Sequence, residues 1–550
     1  MRKWEIESEL KGDINREQLI ELLLLNRGIK TKKQKEEFLE PKLETVSASS
    51  VGIDKVILNK ALKRIKKALD NKEKIAVFGD YDVDGICGTA ILWEVLYSLG
   101  ADVVPYIPNR FDEGYGLSEK GIINLKKQFP GVRLVITVDN GIVANEAVSF
   151  AKKEGVEVII TDHHVPSKKL PDALIVHTTS VCGASVAYIL SGELLKIFGK
   201  QNKEDNHLEL VALATVADLV PLTEANRTLL KYGLERLKKT ARPGILALFN
   251  KAGIKKGEIG TYEIGHIIAP RLNAMGRLET AMDSLRLVCT KNPKRAEGLA
   301  KLLNETNIER QQLTQSSVED AKSKVNGKEL KNLIFIADES YQQGIIGLIA
   351  GRLVEEYYLP SIVVSKGERL SKASVRSVRG FNIIEFLRTA SDMLVDVGGH
   401  PMAAGFTVET QKLELLEKKL LDSASKLINK EHLDRVLRID CLLPGHLINL
   451  ETFSEIQKLS PFGMANPEPT FSTKGFLIED LRLVGNDGKH LKLKLKERSS
   501  NLEIEGIAFG MGESNGFRIG DKINLAYQLE ENVWNNNRKL QLNIKDIKKD

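Results

Sequence analysis

From about residue 51 to 225, short apolar runs alternate with amphipathic stretches. Runs such as Ile75-Ala76-Val77-Phe78 and Leu134-Val135-Ile136-Thr137-Val138 are apolar at successive positions, as strands buried on both faces are. The pattern predicts helix 54–69, strand 74–79, helix 86–99, strand 102–107, helix 118–128, strand 133–138, helix 144–153, strand 156–161 and a later helix at about 206–219. Strands alternating with helices imply an α/β parallel sheet covered on both faces. Residues 1–50 carry a helical pattern (Leu19, Ile20, Leu22, Leu23, Leu24) and read as a helical prefix. Residues 226–325 read as a helical connector ending in a long polar helix through Leu299, Leu302, Leu303 and Arg310, of the kind that bridges domains. A second α/β unit, 326–430, opens at Leu333-Ile334-Phe335-Ile336-Ala337. It continues with a helix near 345–357, a strand at Ile362-Val363-Val364 and a helix near 382–394. From 435 to 550 the period shortens to two. His490-Leu491-Lys492-Leu493-Lys494-Leu495-Lys496 alternates strictly, strands come next at 502–509 and 522–527, and Trp534-Asn535-Asn536-Asn537-Arg538 reads as a hairpin tip. Several short strands with turn signals imply a small barrel or sandwich.

Bulk properties narrow this picture without changing it. The chain has 550 residues, room for about three or four domains of ~150 residues. Its 42% hydrophobic and 28% charged residues are ordinary for a soluble globular protein. No run approaches the ~18 apolar residues of a membrane span, and the first seven residues lack the apolar core of a secretory signal, so a cytoplasmic location is expected. Cys87, Cys182, Cys289 and Cys441 are widely spaced; they imply neither a disulfide framework nor a thiolate zinc site and are expected to be small buried residues. A net charge of +6 and a pI near 8.8 permit an anionic partner without requiring one.

The chemistry gathers at strand ends. Asp80-Tyr81-Asp82-Val83-Asp84 follows the first strand, Asp139 follows the strand at 133–138, and Asp162-His163-His164 closes the strand at 156–161. In an open parallel sheet, ligands bind beyond the carboxyl ends of strands. Carboxylates converging there repel unless a cation offsets them. Alternate residues of an extended chain share a side, so Asp80, Asp82 and Asp84 can point together, and Gly85 permits tight backbone passage beside them. Ile91 occupies the closing acidic position of an EF-hand loop and excludes that reading. Imidazole with carboxylates suits Mn²⁺, and carboxylates with water also suit Mg²⁺. Asp218, near the end of an apolar helix stopped by Pro221, opposes the helix dipole and would want a cation if buried.

Taken in order, these motifs resemble the DHH phosphoesterase superfamily, and within it the RecJ exonuclease family. The resemblance runs over most of the chain. It rests on Phe78-Gly79-Asp80-Tyr81-Asp82-Val83-Asp84-Gly85, Pro108-Asn109-Arg110-Phe111-Asp112-Glu113-Gly114-Tyr115-Gly116, Val138-Asp139-Asn140-Gly141 and Thr161-Asp162-His163-His164. It continues through Ala217-Asp218-Leu219-Val220-Pro221, Pro270-Arg271-Leu272-Asn273-Ala274-Met275-Gly276-Arg277, Gly398-Gly399-His400-Pro401 and Pro461-Phe462-Gly463.

The resemblance implies a DHH domain, a bridging helix, a DHH-associated domain and an oligonucleotide-binding (OB) barrel. It implies stepwise 5′→3′ degradation of single-stranded DNA to 5′-mononucleotides, in DNA repair and recombination. It implies two divalent ions, Mn²⁺ or Mg²⁺, on Asp82, Asp84, Asp139, His163 and Asp218, with Asp139 as the bridge. Asp80 and Asp162 are ligands or groups that orient ligands, and His164 is a phosphate contact or proton donor. Arg110, Arg271, Asn273, Arg277, Ser374, Arg376, Gly399 and His400 would hold the strand, and Tyr115 would stack on a base. Lys492, Lys494 and Lys496 could track phosphates along the barrel. A monomer is implied, with a helicase and a single-strand-binding protein as partners.

Three departures stand out. The family's aromatic-His-x-Gly reads Tyr341-Gln342-Gln343-Gly344, so a cationic contact becomes an amide. The stretch from Ile175 to Gly183 replaces a longer loop that usually begins Asn-Pro, and Val375 stands where a small or basic residue is usual. Two rival functions differ in class from DNA degradation. One is a phosphodiesterase of short oligoribonucleotides or cyclic dinucleotides, against which the terminal barrel argues. The other is a non-catalytic replication scaffold, against which the intact ligand set argues.

Overall fold

The chain opens with a strand. In the computed structural model, which describes residues 2–8, 14–110, 112–200, 207–327, 330, 332–497, 500, 502–512, 516–534 and 537–550, β1 (Lys3–Ser8) runs parallel to a strand at Val436–Leu442. The helical prefix is corrected to that extent: Trp4 and Ile6 sit in an extended register against Leu437 and Ile439, a pairing between distant parts of the chain that local periodicity cannot reveal. Helices α1 (Arg16–Asn26) and α2 (Lys32–Leu39) come next, each started by a capping box from Asn15 and Thr31. By contacts, residues 1–42 and 221–227 group with 435–550 as one compact unit, and 43–220 with 228–434 form the other.

The larger unit begins with α3 (Lys55–Asp70), β2 (Lys74–Phe78), α4 (Val83–Ser98), β3 (Val103–Tyr106), α5 (Glu119–Gln128), β4 (Val132–Val138), α6 (Asn145–Lys153), β5 (Glu157–Asp162), β6 (Leu174–His177), α7 (Gly183–Ile197) and α8 (Leu208–Ala217). Its parallel sheet has the order β3-β2-β4-β5-β6, so β2, β4 and β5 are neighbours at its centre and deliver their carboxyl ends side by side. The stretch expected as a shortened loop contains a strand, β6, which extends the sheet by pairing Ile160 with Ile175 and Asp162 with His177. Helices α9 (Glu224–Lys238) and α10 (Pro243–Ala252) lead to a π turn at Glu263–Ile268, which runs without a break into α11 (Ala269–Leu278); α12 (Met282–Cys289) and the 33-residue α13 (Pro293–Val325) complete the helical stretch.

The second sheet of this unit uses β7 (Ile334–Asp338), β8 (Ser361–Ser365) and β9 (Leu370–Arg376), with α14 (Ile346–Tyr357) between the first two. The helix expected near 382–394 is shorter: α15 (Ile383–Arg388) gives way to β10 (Leu394–His400), which pairs antiparallel with β11 (Ala403–Glu409). Gly398 and Gly399 favour that extended hairpin over a helix. Helices α16 (Leu413–Leu427) and α17 (Lys430–Leu433) close the unit.

The smaller unit resumes with β12 (Val436–Leu442) and α18 (Leu450–Gln457). Strands β13 (Phe471–Val484), β14 (His490–Glu497), β15 (Leu502–Ala508), β16 (Lys522–Trp534) and β17 (Asn537–Lys549) then close a barrel, because β13 pairs with both β14 and β16. Leu491, Leu493 and Leu495 fill its interior. The strands flanking the expected hairpin tip pair antiparallel; Asn535 and Asn536 lie outside the described residues, as does Phe111. Lys492, Lys494 and Lys496 face outward as predicted. They are held by Glu505 at 2.9 Å, Glu479 and Glu503 at 3.1 Å, and Glu503 at 3.7 Å, which argues against their serving as a free phosphate track. Cys87, Cys182 and Cys441 are buried, Cys289 is half-buried, and all are free thiols. Among the described residues, no helix is long and apolar enough to cross a membrane.

Candidate metal centre

The centre is built where β2, β4 and β5 end. After β2 the chain does not stay extended, which corrects the same-side argument for Asp80, Asp82 and Asp84. Asp82 is the N-cap of α4, its Oδ1 accepting from the amides of Asp84 and Gly85 at 3.0 and 3.1 Å, and Asp84 sits in the first turn. The turn is tight enough that a Cβ on Gly85 would lie 2.5–2.6 Å from Asp80 backbone atoms, so glycine is required there. Asp84 is buried, and both its oxygens accept from the N-terminus of α7: Gly183 at 2.6 Å and Ala184 at 2.7 Å. Asp139 adopts a left-handed backbone (φ 64°), a strained conformation for a residue with a Cβ. Gly183 leaves it room, since a Cβ there would sit 2.6 Å from the Asp139 Cβ.

The Asp-His-His motif divides by function. Asp162 is saturated: Oδ2 accepts from the Ile142 amide at 2.9 Å, and Oδ1 takes the His163 amide, the His164 amide and the His164 ring Nδ1 at 2.7, 3.1 and 2.7 Å. It orients the loop and has no oxygen left for an ion. His163 turns the other way, its Nε2 lying 3.1 Å from Asp139, 3.5 Å from Asp218 and 3.6 Å from Asp84. Asp218 joins from the carboxyl end of α8.

The ligand atoms fall into overlapping groups: Asp80, Asp82 and Asp139; Asp84, His163 and Asp218; Asp139, His163 and His164. Both oxygens of Asp80, Oδ1 of Asp139 and Nε2 of His163 are buried without a hydrogen-bond partner. Such atoms cost ~1–3 kcal/mol each, more when charged. The titration behaviour has the same origin. Burial, and after it the neighbouring aspartates, raises Asp80, Asp82 and Asp139, and lifts Asp218 to about 9. Burial lowers His163. Burial opposes protonation of His164 too, but the Asp162 hydrogen bond and the surrounding carboxylates outweigh it and raise the ring to about 9. Unpaired oxygen ligands and one imidazole in this arrangement fit divalent cations of the Mn²⁺ or Mg²⁺ kind.

Beside the acidic centre lies a basic and aromatic one. Arg110 stacks over Tyr81 at 4.9 Å, Tyr81 meets Tyr115 edge-on at 5.9 Å, and the Tyr115 hydroxyl lies 3.2 Å from His164 Nε2. Arg277 donates to the Gly344 carbonyl at 3.0 Å. Burial and the nearby Arg110, Arg310 and Arg376 bring its guanidinium down to about 10. Arg376 donates to Ser374 Oγ at 3.2 Å, and a Cβ on Gly347, at the start of α14, would touch both residues.

Other predicted substrate residues are engaged differently. Arg271 is tied to Asn304 and the Ile267 carbonyl, and Asn273 Oδ1 accepts from the Val83 amide at 3.0 Å, so both brace the scaffold. Gly399 and His400 sit exposed at the end of β10, and among the described residues no side-chain hydrogen bond or ion pair joins His400 to the cluster. Two contributors escape a reading of sequence. Tyr81 stands between two of the aspartates, yet nothing in its spacing marks it as part of the site. The Gly183 and Ala184 amides leave no local signal beyond a glycine opening a helix.

Three family models match in order: the DHH family, N-terminal domain over 74–215, the DHHA1 domain over 330–429 and the RecJ OB domain over 439–546. The chain is 37% identical over 503 residues to the single-stranded-DNA-specific exonuclease RecJ of Bacillus subtilis, covering 89% of this chain and 63% of that protein. It is 31% identical to the RecJ of Salmonella typhimurium, covering 98% and 97%. The crystal structure of RecJ from Thermus thermophilus in complex with Mn²⁺ aligns over 100% of this chain and 80% of its own at 29% identity, with a TM-score of 0.84. A Mg²⁺ complex from the same organism gives 0.79. The chain thus spans about 63% of the length of the B. subtilis relative and nearly all of the S. typhimurium one.

Proposed function

The chain belongs to the RecJ family, and from that membership we propose that it is a metal-dependent, single-stranded-DNA-specific exonuclease working 5′→3′ and releasing 5′-mononucleotides. The observation that carries this reading is the set of buried, unpartnered ligand atoms on Asp80, Asp139 and His163 at the ends of three adjacent strands. We propose Asp80, Asp82, Asp84, Asp139, His163 and Asp218 as the ligands of two divalent ions, with Asp139 shared between them. Such a pair supplies Lewis acidity and charge neutralisation at the scissile phosphodiester.

The remaining steps belong to side chains. Hydrolysis breaks the bond between phosphorus and the 3′-oxygen of the terminal nucleotide. His164, held as an imidazolium by Asp162, offers its Nε2 proton to a phosphate oxygen or to the departing 3′-oxygen. Arg110, Arg277, Ser374 and Arg376 form a polar pocket suited to a 5′-terminal phosphate, which guanidinium groups grip in a fork. Tyr115, 54% exposed, is available to a base face, a contact worth ~1–3 kcal/mol that is indifferent to sequence. Repair and recombination, a cytoplasmic setting, a monomeric state, and a helicase and a single-strand-binding protein as partners complete the proposal.

Digestion of end-labelled single- and double-stranded DNA, with and without Mn²⁺, tests it. Mononucleotides released from the 5′ end of single strands only, and only with metal, are expected. Activity confined to fragments of two to five nucleotides, or digestion without metal, would sink it.

A further inference from the structure

We propose that His177, at the end of β6, is a positioning residue for the metal centre, fixing the Asp-His-His loop from behind. Its Nε2 lies 2.7 Å from the His164 carbonyl oxygen. A carbonyl only accepts, so this ring nitrogen carries the proton and donates. The strand register places His177 directly beside Asp162, the residue that holds the same loop from its other side through the His163 and His164 amides. The loop of His163 and His164 is therefore hydrogen-bonded by Asp162 at its amides and by His177 at its carbonyl.

The chain beyond His177 braces the same centre. Thr178 Oγ1 donates to the Val51 carbonyl at 2.5 Å and accepts from the Ser180 amide at 3.1 Å. The turn then delivers Gly183 and Ala184, whose amides hold Asp84. The β6–α7 connection thus supports two proposed ligands, His163 through the loop and Asp84 directly. Of these supports, His177 is the one made by a replaceable side chain. Without its N–H, the His164 carbonyl loses its partner and the loop gains freedom to rotate about the Asp162 carboxylate. His163 Nε2, buried with no hydrogen-bond partner, has no hydrogen bond of its own to resist that rotation.

This inference rests on the proposed metal centre, and the test separates the two. Hydrogen–deuterium exchange of the metal-free protein over residues 157–166 is compared for wild type, His177→Ala and His177→Gln, together with Mn²⁺ binding by calorimetry and single-strand digestion. Groups supporting metal ligands typically alter affinity or activity ~10–100-fold when removed. In His177→Ala, amide exchange in the loop is expected to quicken about tenfold and the Mn²⁺ needed for half-maximal rate to rise about tenfold, with the KM for DNA unchanged. Glutamine places an amide N–H2 at the reach of the imidazole Nε2 and is expected to restore both to within about threefold. Unchanged exchange in His177→Ala would overturn the inference. So would a His177→Gln variant that melts like wild type but behaves like alanine. A wild-type protein that binds no Mn²⁺ sinks the metal centre, while the exchange comparison still decides whether His177 holds the loop.

Discussion

Two charged regions of this molecule look alike in sequence and differ in every physical respect. Asp80, Asp82, Asp84 and Asp139 crowd together at the ends of buried strands, with several oxygens lacking partners. Lys492, Lys494 and Lys496 alternate along an exposed barrel strand, and each meets a glutamate. The first array is held at a cost that only a ligand repays; the second is already neutralised by its neighbours. Clustering of like charge marks a functional site when the cluster is buried and unpaired, and a row of surface ion pairs contributes little either way.

That contrast can be broken by substitution. Asp139→Asn is expected to abolish Mn²⁺-dependent digestion, by ~10³-fold or more, a barrier increase of ~4 kcal/mol. The metal-free melting temperature should not fall, because a crowded carboxylate is removed. Mn²⁺ at about 100 times its Kd should stabilise the wild type by ~2.7 kcal/mol and leave the variant unmoved, which calorimetry would read.

Glu94 is the buried carboxylate that is paired, and it should behave in the opposite way. Burial opposes its charge, but Arg242 at 2.7 and 2.8 Å and His207 at 2.9 Å hold it down to about 2. Its folded pKa lies below the unfolded value of ~4.3, so its contribution is present above that value and is lost as pH falls toward 2. Glu94→Gln should cost ~3 kcal/mol at pH 7, leave kcat intact, and flatten the loss of stability of the wild type between about pH 4.3 and 2 in chemical denaturation.

Gly183→Ala sharpens the comparison from the side of packing. The new methyl meets the Asp139 carboxylate and should cost ~1–3 kcal/mol of stability and about tenfold or more in rate, read from melting and from initial velocities. The smallest effect is expected on the barrel. Replacing Lys492, Lys494 and Lys496 together by alanine should change stability by less than ~1 kcal/mol, and single-strand affinity by less than about twofold in a fluorescence titration. A large affinity loss there would restore the phosphate-track reading.

The parts of the fold legible in sequence were those with local causes. The strands around Ile75, Val135 and Ile159 are continuous apolar runs, and a run ending in Asp states both the strand and what its end carries. The parts that escaped depend on distant partners. β1 exists because residues 436–441 accept it, and β6 because Asp162 and His177 share a register. The site divides along the same line. That aspartates and histidines gather could be read from residue type and strand order. That Asp162 has no free oxygen, that Asn273 holds the Val83 amide, and that the barrel lysines are paired are facts of orientation, which periodicity does not encode.

The π turn ahead of α11 has a consequence for how this gene can change. Within α11, Asn273 and Arg277 are four residues apart on one face, one holding the Val83 amide and the other the Gly344 carbonyl. The wide turn at Glu263–Ile268 sets the phase of that face. Deleting one residue there would tighten the turn to an ordinary helix and rotate everything after it by about 100°, turning both side chains away from their partners at once. Insertions and deletions should therefore be absent from 263–277 in functional descendants of this gene, yet tolerated a few residues earlier, around Lys255 and Lys256, where the chain is an exposed turn.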